Sequence, residues 1–262
     1  MLDCEHNERA VMKIVVIGGT GRIGSKLVSM LTEHGREAVA ASPNTGVNTL
    51  TGQGLAEVLK GAQVIVDVSN SPSWEEQAVM DFFTKSTNNL LKYGRAAGVG
   101  HLVALSVVGT DRLSESPYFR AKIAQEKLIK ESGLPYSIVH ATQFFEFVKG
   151  IADFSMQGNQ VHLAPVLIQP MVSDDVAKGV GRVSVGAPVN GIVEIGGPEK
   201  FPLDELIRLY LTAVGDKREV VTDPNALYYG VRVSERTLVP EDNAKLGEIR
   251  FKDWLTQETL KK

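Results

Sequence analysis

The stretch "MKIVVIGGTGRIGSKL", residues 12–27, decides the fold of this protein. It begins with a short apolar run rich in β-branched residues, which is typical of a strand buried on both faces of a parallel sheet. After a glycine-rich turn, Ile23, Leu27 and Leu31 lie on one face of a predicted helix, and Gly35 marks its end. The chain therefore opens with a strand, a turn and a helix.

The turn between this strand and this helix has the spacing of a nucleotide-binding loop. Gly19, Gly21 and Gly24 fit the pattern G-x-G-x-x-G, and Gly18 precedes them. Glycines allow positive φ and a close approach to a pyrophosphate, which then lies against the N–H groups at the helix N-terminus. The strand-turn-helix context favours dinucleotide binding over a purely structural turn. The expected contacts are Gly18, Gly19, Thr20, Gly21, Arg22, Ile23 and Gly24.

The alternation of strand and helix patterns continues along the chain. Apolar runs at 38–41, 64–68, 101–107 and 136–141 are separated by helical patterns around 53–60, 74–97 and 118–132. Such alternation predicts right-handed crossovers and a doubly wound parallel sheet with helices on both faces, an α/β fold. We assign residues 12–145 to an NAD(P)-binding domain and residues 1–11 to an N-terminal tail. Residues 146–262 are expected to form a smaller substrate-binding lobe that is structurally continuous with the first domain.

Composition narrows the class of protein. With 28 basic and 31 acidic residues, a net charge of −3 and no basic run, the chain is not expected to bind nucleic acid. The single cysteine, Cys4, excludes an internal disulfide, and the apolar runs are too short to cross a bilayer. The five histidines lack the spacing of metal ligands, so no metal site is expected. Because the N-terminus lacks a signal-peptide pattern, we expect a cytoplasmic protein without a membrane partner.

The end of the second strand indicates which dinucleotide is preferred. An acid there would bind the ribose 2′-OH of NAD, yet none occurs between Glu37 and Glu57. Arg22 and Ser42 would instead offer a cation and a hydroxyl to a 2′-phosphate. NADP(H) is therefore favoured over NAD(H), unless Arg22 simply points into solvent.

A candidate catalytic group follows in "SPYFRAKIAQEKL", residues 116–128. Tyr118 and Lys122 are four residues apart on a predicted helix, so both side chains project from one face. Lys122 is expected to lower the pKa of the phenol, because a nearby cation favours the phenolate. Ser106 ends a strand at the carboxyl edge of the sheet, where it is expected to donate a hydrogen bond to the same substrate oxygen.

Four stretches together resemble one family. They are "GGTGRIG" (18–24), "STNNLLKYGRAAGVGHLVALS" (86–106), "YFRAKIAQEKLIKESGLPYSIVHATQFFE" (118–146) and "QPMVSDDVAKGV" (169–180). From Met12 onward the chain is similar to the atypical, NmrA-like branch of the short-chain dehydrogenase/reductase superfamily, close to sugar-nucleotide epimerase-like proteins. The resemblance implies a Rossmann-type fold, bound NAD(P)(H), and a group of Ser, Tyr and Lys supported by an Asn.

By position, the resemblance assigns a role to each member of this group. Ser106 would polarise the substrate oxygen, and Tyr118 would be the acid/base. Lys122 would hold the nicotinamide ribose and tune the tyrosine, and Asn89 would support the group. Glu126 matches the acid that often follows the lysine on the same helix face.

The resemblance also suggests contacts around the nicotinamide. "DVSN" falls where a family strand meets the cofactor, so Val68 and Ser69 are expected contacts. "ATQFF" matches the segment that lines the nicotinamide end, and Phe144 and Phe145 there either line a substrate pocket or belong to the core. The Asp that often meets the adenine in the family is replaced here by "GVNTLTG", which leaves that contact open.

Three functions remain open at this stage. The retained Ser, Tyr and Lys favour an NADP(H)-dependent oxidoreductase that moves hydride to or from a small carbonyl or quinone-like substrate. The alternatives are a non-catalytic NAD(P)(H)-binding redox sensor with a protein partner, and a sugar-nucleotide epimerase or dehydratase with tightly held cofactor. A homodimer is also left open.

Overall fold

A seven-stranded parallel sheet forms the centre of the protein, whose computed structural model describes residues 11–260. Every neighbouring pair of its strands is parallel. From one edge to the other the strands are β2 (Glu37–Ala41), β1 (Lys13–Ile17), β3 (Val64–Asp67), β4 (His101–Val107), β5 (Tyr136–Ala141), β9 (Gly191–Gly196) and β12 (Lys245–Leu246). The predicted tail lies outside the described residues, except for Val11.

Helices cover both faces of the sheet, which confirms the predicted doubly wound, Rossmann-type fold. Ile14 and Val16 of β1 face α1 (Arg22–Glu33) and α6 (Ser173–Val185). Val15 and Ile17 face the opposite side, with α2 (Leu55–Val58), α3 (Glu76–Ala96) and α4 (Pro117–Lys130). Because both faces of β1 are covered, this strand is apolar without alternation.

The later part of the chain builds a second lobe and also completes the central sheet. The other elements are α5 (Val148–Phe154), β6 (Met156–Gln157), β7 (Gln160–Leu163), β8 (Leu167–Ile168), β10 (Phe201–Pro202), α7 (Leu203–Val214), β11 (Glu219–Thr222) and α8 (Phe251–Thr259). Of these, β11, β7 and β6 form a small sheet, and β10 pairs with β8. The strands β9 and β12 extend the main sheet, so it takes two strands from beyond the predicted division at residue 145.

The second lobe has its own apolar core. Phe145, Ile151, Leu206 and Trp254 belong to one buried cluster, which Tyr118 and Val107 of the first lobe also touch. The two lobes therefore meet near the carboxyl ends of the parallel strands, where open α/β sheets bind ligands. Within residues 11–260, no helix has the length and apolar character needed to span a membrane.

Candidate functional site

Glycine is required in the first turn for steric reasons, as Gly18 and Gly24 show. Gly18 has φ +76°, and a Cβ there would lie 2.9 Å from the Cα of Ser69. A Cβ on Gly24 would lie 2.1 Å from the carbonyl oxygen of Gly18. These contacts pack the start of α1 tightly against the turn, and the turn against the segment after β3.

The N-terminus of α1 is suited to hold an anion. Its N-cap is Gly21, no side chain caps the helix, and no acid occurs in its first turn. The first backbone N–H groups of a helix have no intrahelical acceptor and carry the positive end of the helix dipole. Thr20, Gly21 and Arg22 are exposed. The turn thus fits the pyrophosphate of a dinucleotide, as its sequence predicts.

Arg22 and Ser42 lie against different neighbours. The Ser42 Oγ accepts a hydrogen bond from the backbone N–H of Thr20 at 3.3 Å. The Arg22 guanidinium lies 6.0 Å from the ring centre of Phe147, in the segment that leads into the second lobe. A 2′-phosphate site shared by Arg22 and Ser42 stays a prediction.

Val68 and Ser69 lie beside the glycine turn, where the resemblance placed them. The N–H of Val68 donates to the carbonyl oxygen of Ile17, at 3.0 Å. Ser69 donates to the Asp67 Oδ1 through its N–H at 3.0 Å and through its Oγ at 2.6 Å. The backbone after β3 is thus held immediately next to Gly18.

Tyr118, on α4, contacts the same segment. Its Oη donates to the Oδ1 of Asn70 at 3.2 Å, and its ring centre lies 5.6 Å from that of Trp74 and 5.8 Å from that of Phe83. Burial raises the pKa of the phenol to about 12. The expectation that Lys122 lowers this pKa is therefore wrong, since burial disfavours the phenolate and dominates.

The Lys122 ammonium is buried among other partners. Its Nζ donates to the carbonyl oxygen of Leu105 at 2.8 Å and to the Oε1 of Gln125, and it lies 4.5 Å from the ring centre of Phe83. Burial lowers the pKa of Lys122 to about 8, while Asp67 and the neighbouring Glu126 oppose that shift. Within residues 11–260, no hydrogen bond joins this ammonium to the Tyr118 phenol.

The Ser106 hydroxyl points into the interior instead of toward Tyr118. Its Oγ donates to the Glu126 Oε1 at 2.7 Å, and the same oxygen lies 2.8 Å from the Nε2 of His140. Burial alone would raise the pKa of Glu126, but His140, Ser106 and Lys130 together lower it to about 2. In this structure the Ser106 hydroxyl donates to the buried Glu126 carboxylate and makes no hydrogen bond to the Tyr118 phenol.

Asn89 is likewise separate from the other predicted catalytic residues. Its Nδ2 donates to the carbonyl oxygens of Thr49 at 2.7 Å and Leu50 at 3.1 Å. These hydrogen bonds connect α3 to the loop after β2. In this structure Asn89 therefore supports that loop and makes no hydrogen bond to Ser106, Tyr118 or Lys122.

The two phenylalanines expected at the substrate end differ in exposure. Phe145 is 1% exposed, with its ring centre 5.1 Å from that of Phe251 and 5.4 Å from that of Trp254. A substrate contact for Phe145 is therefore wrong, because the core of the second lobe encloses the ring. Phe144 is half-buried and stacks on exposed Phe147 at 5.3 Å, so it remains a candidate.

Three polar residues near Tyr118 and Lys122 were not among the predicted site residues. They are Asn70, Asp67 and Gln125. Asp67 could have been found from the sequence, because an acid at the end of the apolar run "VIVD" indicates a polar group at the carboxyl edge of the sheet. Asn70 and Gln125 carry no such signal, since their partners are 48 and 58 residues away along the chain.

The sequence matches proteins of known families. A family described as NAD(P)H-binding matches residues 18–159. The photosystem II assembly factor Ycf39 of Cyanophora paradoxa is 28% identical over 153 residues, which cover 53% of this chain and 48% of that protein, about half its length. The Ycf39 of Synechocystis sp. is 20% identical over 236 residues, which cover 82% of this chain and 72% of that protein.

Solved structures show the same fold. A short-chain dehydrogenase/reductase superfamily protein from Agrobacterium tumefaciens with bound NAD superposes with a TM-score of 0.72 at 17% identity, over 95% of this chain and 96% of that chain. The glycine turn, the sheet order and the family match all indicate a nucleotide-binding α/β fold. The chain therefore belongs to the NAD(P)H-binding family.

Proposed function

We propose that this protein is an NADP(H)-dependent oxidoreductase that reduces a small carbonyl or quinone-like substrate, with Tyr118 as the proton donor. One observation carries the proposal. Gly18 of the nucleotide-binding turn packs on Ser69, and the next residue, Asn70, accepts the hydrogen bond of the Tyr118 phenol. The candidate proton donor and the glycine turn therefore contact adjacent residues of the segment after β3.

The protonation state of Tyr118 is compatible with reduction. With a pKa of about 12, the phenol keeps its proton at neutral pH, as a proton donor must, although it is a weaker acid than one matched to neutral pH. The nicotinamide supplies the hydride when it is bound. Asn70 orients the phenol until a substrate oxygen replaces it as acceptor.

The preference for NADP(H) rests on the end of β2. No acid lies between Glu37 and Glu57, so nothing in this segment would repel a 2′-phosphate. The Oδ1 of Asn44 accepts from Thr20 Oγ1 at 3.2 Å, which places an amide and a hydroxyl beside Ser42. These neutral groups favour NADP(H) less strongly than an arginine would.

A second candidate is a non-catalytic, NAD(P)(H)-binding regulator. Two observations favour it. Ser106 and Lys122 donate to interior acceptors in this structure, and two relatives are named as assembly factors. Such a protein would bind the dinucleotide and change its contact with a partner protein without reducing a carbonyl.

A titration followed by a turnover assay tests the proposal. NADPH should bind more tightly than NADH, and a panel of aldehydes, ketones and quinones should include one that oxidises NADPH. Tyr118→Phe should lower kcat by about 100-fold or more, with the NADPH dissociation constant unchanged. Tyr136→Phe is the matched control and should keep full activity, because Tyr136 is the first residue of β5 and lies away from the carboxyl ends of the strands.

Two results would contradict the oxidoreductase. Tight NADPH binding with no turnover on the whole panel would favour the regulator. Full activity in Tyr118→Phe would remove Tyr118 from the chemistry.

A further inference from the structure

A chain of buried polar side chains joins the segment after β3 to the middle of α4. Asp67, Gln125 and Lys122 are only 3%, 2% and 2% exposed. The Gln125 Nε2 donates to the Asp67 Oδ2 at 3.1 Å, and its Oε1 accepts from the Lys122 Nζ. At the other end, Asp67 binds Ser69, on which Gly18 packs. The glycine turn is thus connected to Lys122 through three side chains.

The orientation of each group in this chain is determined by its partners. The Gln125 amide must present its oxygen to the ammonium and its nitrogen to the carboxylate, because the reverse orientation would oppose two donors. Both Asp67 oxygens accept hydrogen bonds, from Ser69 and from Gln125, which is the pattern of an ionised carboxylate. Burial raises the pKa of Asp67, and the Ser69 hydrogen bonds and the Lys122 charge oppose that rise.

A buried ammonium needs a compensating charge, since an isolated one would lose its proton. Asp67 on β3 reaches Lys122 through Gln125. Glu126 on α4 also interacts with it, but the oxygens of Glu126 already accept from Ser106, His140 and Lys130. On the α3 side, Lys122 meets the uncharged ring of Phe83. Asp67 is therefore the carboxylate best placed to retain the Lys122 charge.

We propose that Asp67 and Gln125 are positioning residues, which hold the Lys122 ammonium in place and keep it charged at the carboxyl ends of β3 and β4. Any effect of the Lys122 ammonium on hydride transfer rests on the proposed function. Because Ser69 is linked to Lys122 through Asp67 and Gln125, displacement of the glycine turn should also shift the position of Lys122.

Lysine side-chain NMR measures the effect directly, without any ligand. The Lys122 signal, identified by its loss in Lys122→Met, should titrate near pH 8 in the wild type. Asp67→Asn should lower this midpoint by about one pH unit or more, because it removes the neighbouring negative charge. Gln125→Met, of similar size but without hydrogen-bonding groups, should also lower it.

A solvent-accessible set of Asp, Gln and Lys on α3 supplies the controls. On α3, Asp81 accepts from Gln77 at 2.8 Å and from Lys85 at 2.7 Å. Asp81→Asn and Gln77→Met should leave the Lys122 midpoint unchanged. An unchanged midpoint in both Asp67→Asn and Gln125→Met would overturn the inference.

The pH dependence of NADPH binding and turnover gives a second readout. The alkaline limb of the profile should move to lower pH with the Lys122 midpoint in Asp67→Asn and Gln125→Met, and activity should recover at lower pH. Loss of activity at every pH, without movement of the limb, would indicate a merely structural role and contradict the inference. Absence of turnover in the wild type would instead contradict the proposed function, and the NMR test of the inference could still be carried out.

Discussion

Tyr118 and Lys122 show how one spacing leads to two different chemical states. The separation of four residues does place both side chains on one face of α4, and both contact Phe83. Burial then acts on each in its own direction, raising the pKa of the phenol to about 12 and lowering that of the ammonium to about 8. The i, i+4 pattern cannot reveal this, since it contains no information on solvent access.

At the residue scale, Gly24 is the most demanding position of the turn. Gly24→Ala should destabilise the protein by several kcal/mol and weaken dinucleotide binding, because the new Cβ would lie 2.1 Å from the Gly18 oxygen. Denaturant unfolding and NADPH titration measure both effects. Gly100→Ala, where the nearest atom would be 3.9 Å away, is the control. Equal stabilities for the two variants would contradict the steric argument.

At the element scale, α4 joins the site to the core of the sheet. Its face toward the sheet carries Lys122, Gln125 and Glu126, all buried. Glu126 connects this helix to His140 on β5 and to Ser106 on β4. The helix is therefore held to two strands by a carboxylate, in addition to its apolar contacts.

The Glu126 carboxylate should make part of the stability depend on pH. Its pKa is about 2 in the folded state against 4.5 for the free group, so its contribution is present above pH 4.5 and is lost as the pH falls toward 2. The full contribution is about 3 kcal/mol. The difference in free energy of unfolding between wild type and Glu126→Gln should shrink over this range.

Urea unfolding at a series of pH values measures that difference. Glu131→Gln is the control, since the exposed Glu131 lies 3.9 Å from Lys127. Its difference from the wild type should stay constant. A Glu126→Gln difference that also stayed constant would show that the buried carboxylate carries no such linkage.

At the scale of the whole molecule, the two lobes are parts of one packed structure. The strands β9 and β12 from the later part of the chain complete the parallel sheet, and α6 packs on α1. Tyr118 of the first lobe touches the core cluster of the second. Loss of packing in the second lobe should therefore displace Tyr118.

Phe145→Ala tests this coupling. Removing a ring that is 1% exposed should cost about 3 to 5 kcal/mol of stability and should also weaken substrate reduction through displacement of Tyr118. Phe154→Ala, at a ring that is 57% exposed, should change stability by only about 0.5 kcal/mol. Thermal unfolding and activity assays on both variants provide the comparison. A strongly destabilised variant with normal kcat and KM would argue against coupling between the lobes.

Much of the fold could be predicted because its signals are local. The strand runs at 101–107 and 136–141 have the bounds of β4 and β5, and the predicted helix at 118–132 differs from α4 by one or two residues at each end. The division at residue 145 stays a prediction. The membership of β9 and β12 in the main sheet could not be predicted, because these strands come from far along the chain and leave no local signal in residues 12–145.

The sequence by itself determined the doubly wound sheet and the glycine turn, because apolar periodicity and backbone sterics act over a few neighbouring residues. Only the tertiary structure decided the partners of Ser106, Lys122, Asn89 and Phe145. Each of these side chains binds or packs against residues from a distant part of the chain, and burial then sets its charge or its access to substrate. Hydrogen bonding and desolvation depend on that three-dimensional neighbourhood, which residue spacing does not encode.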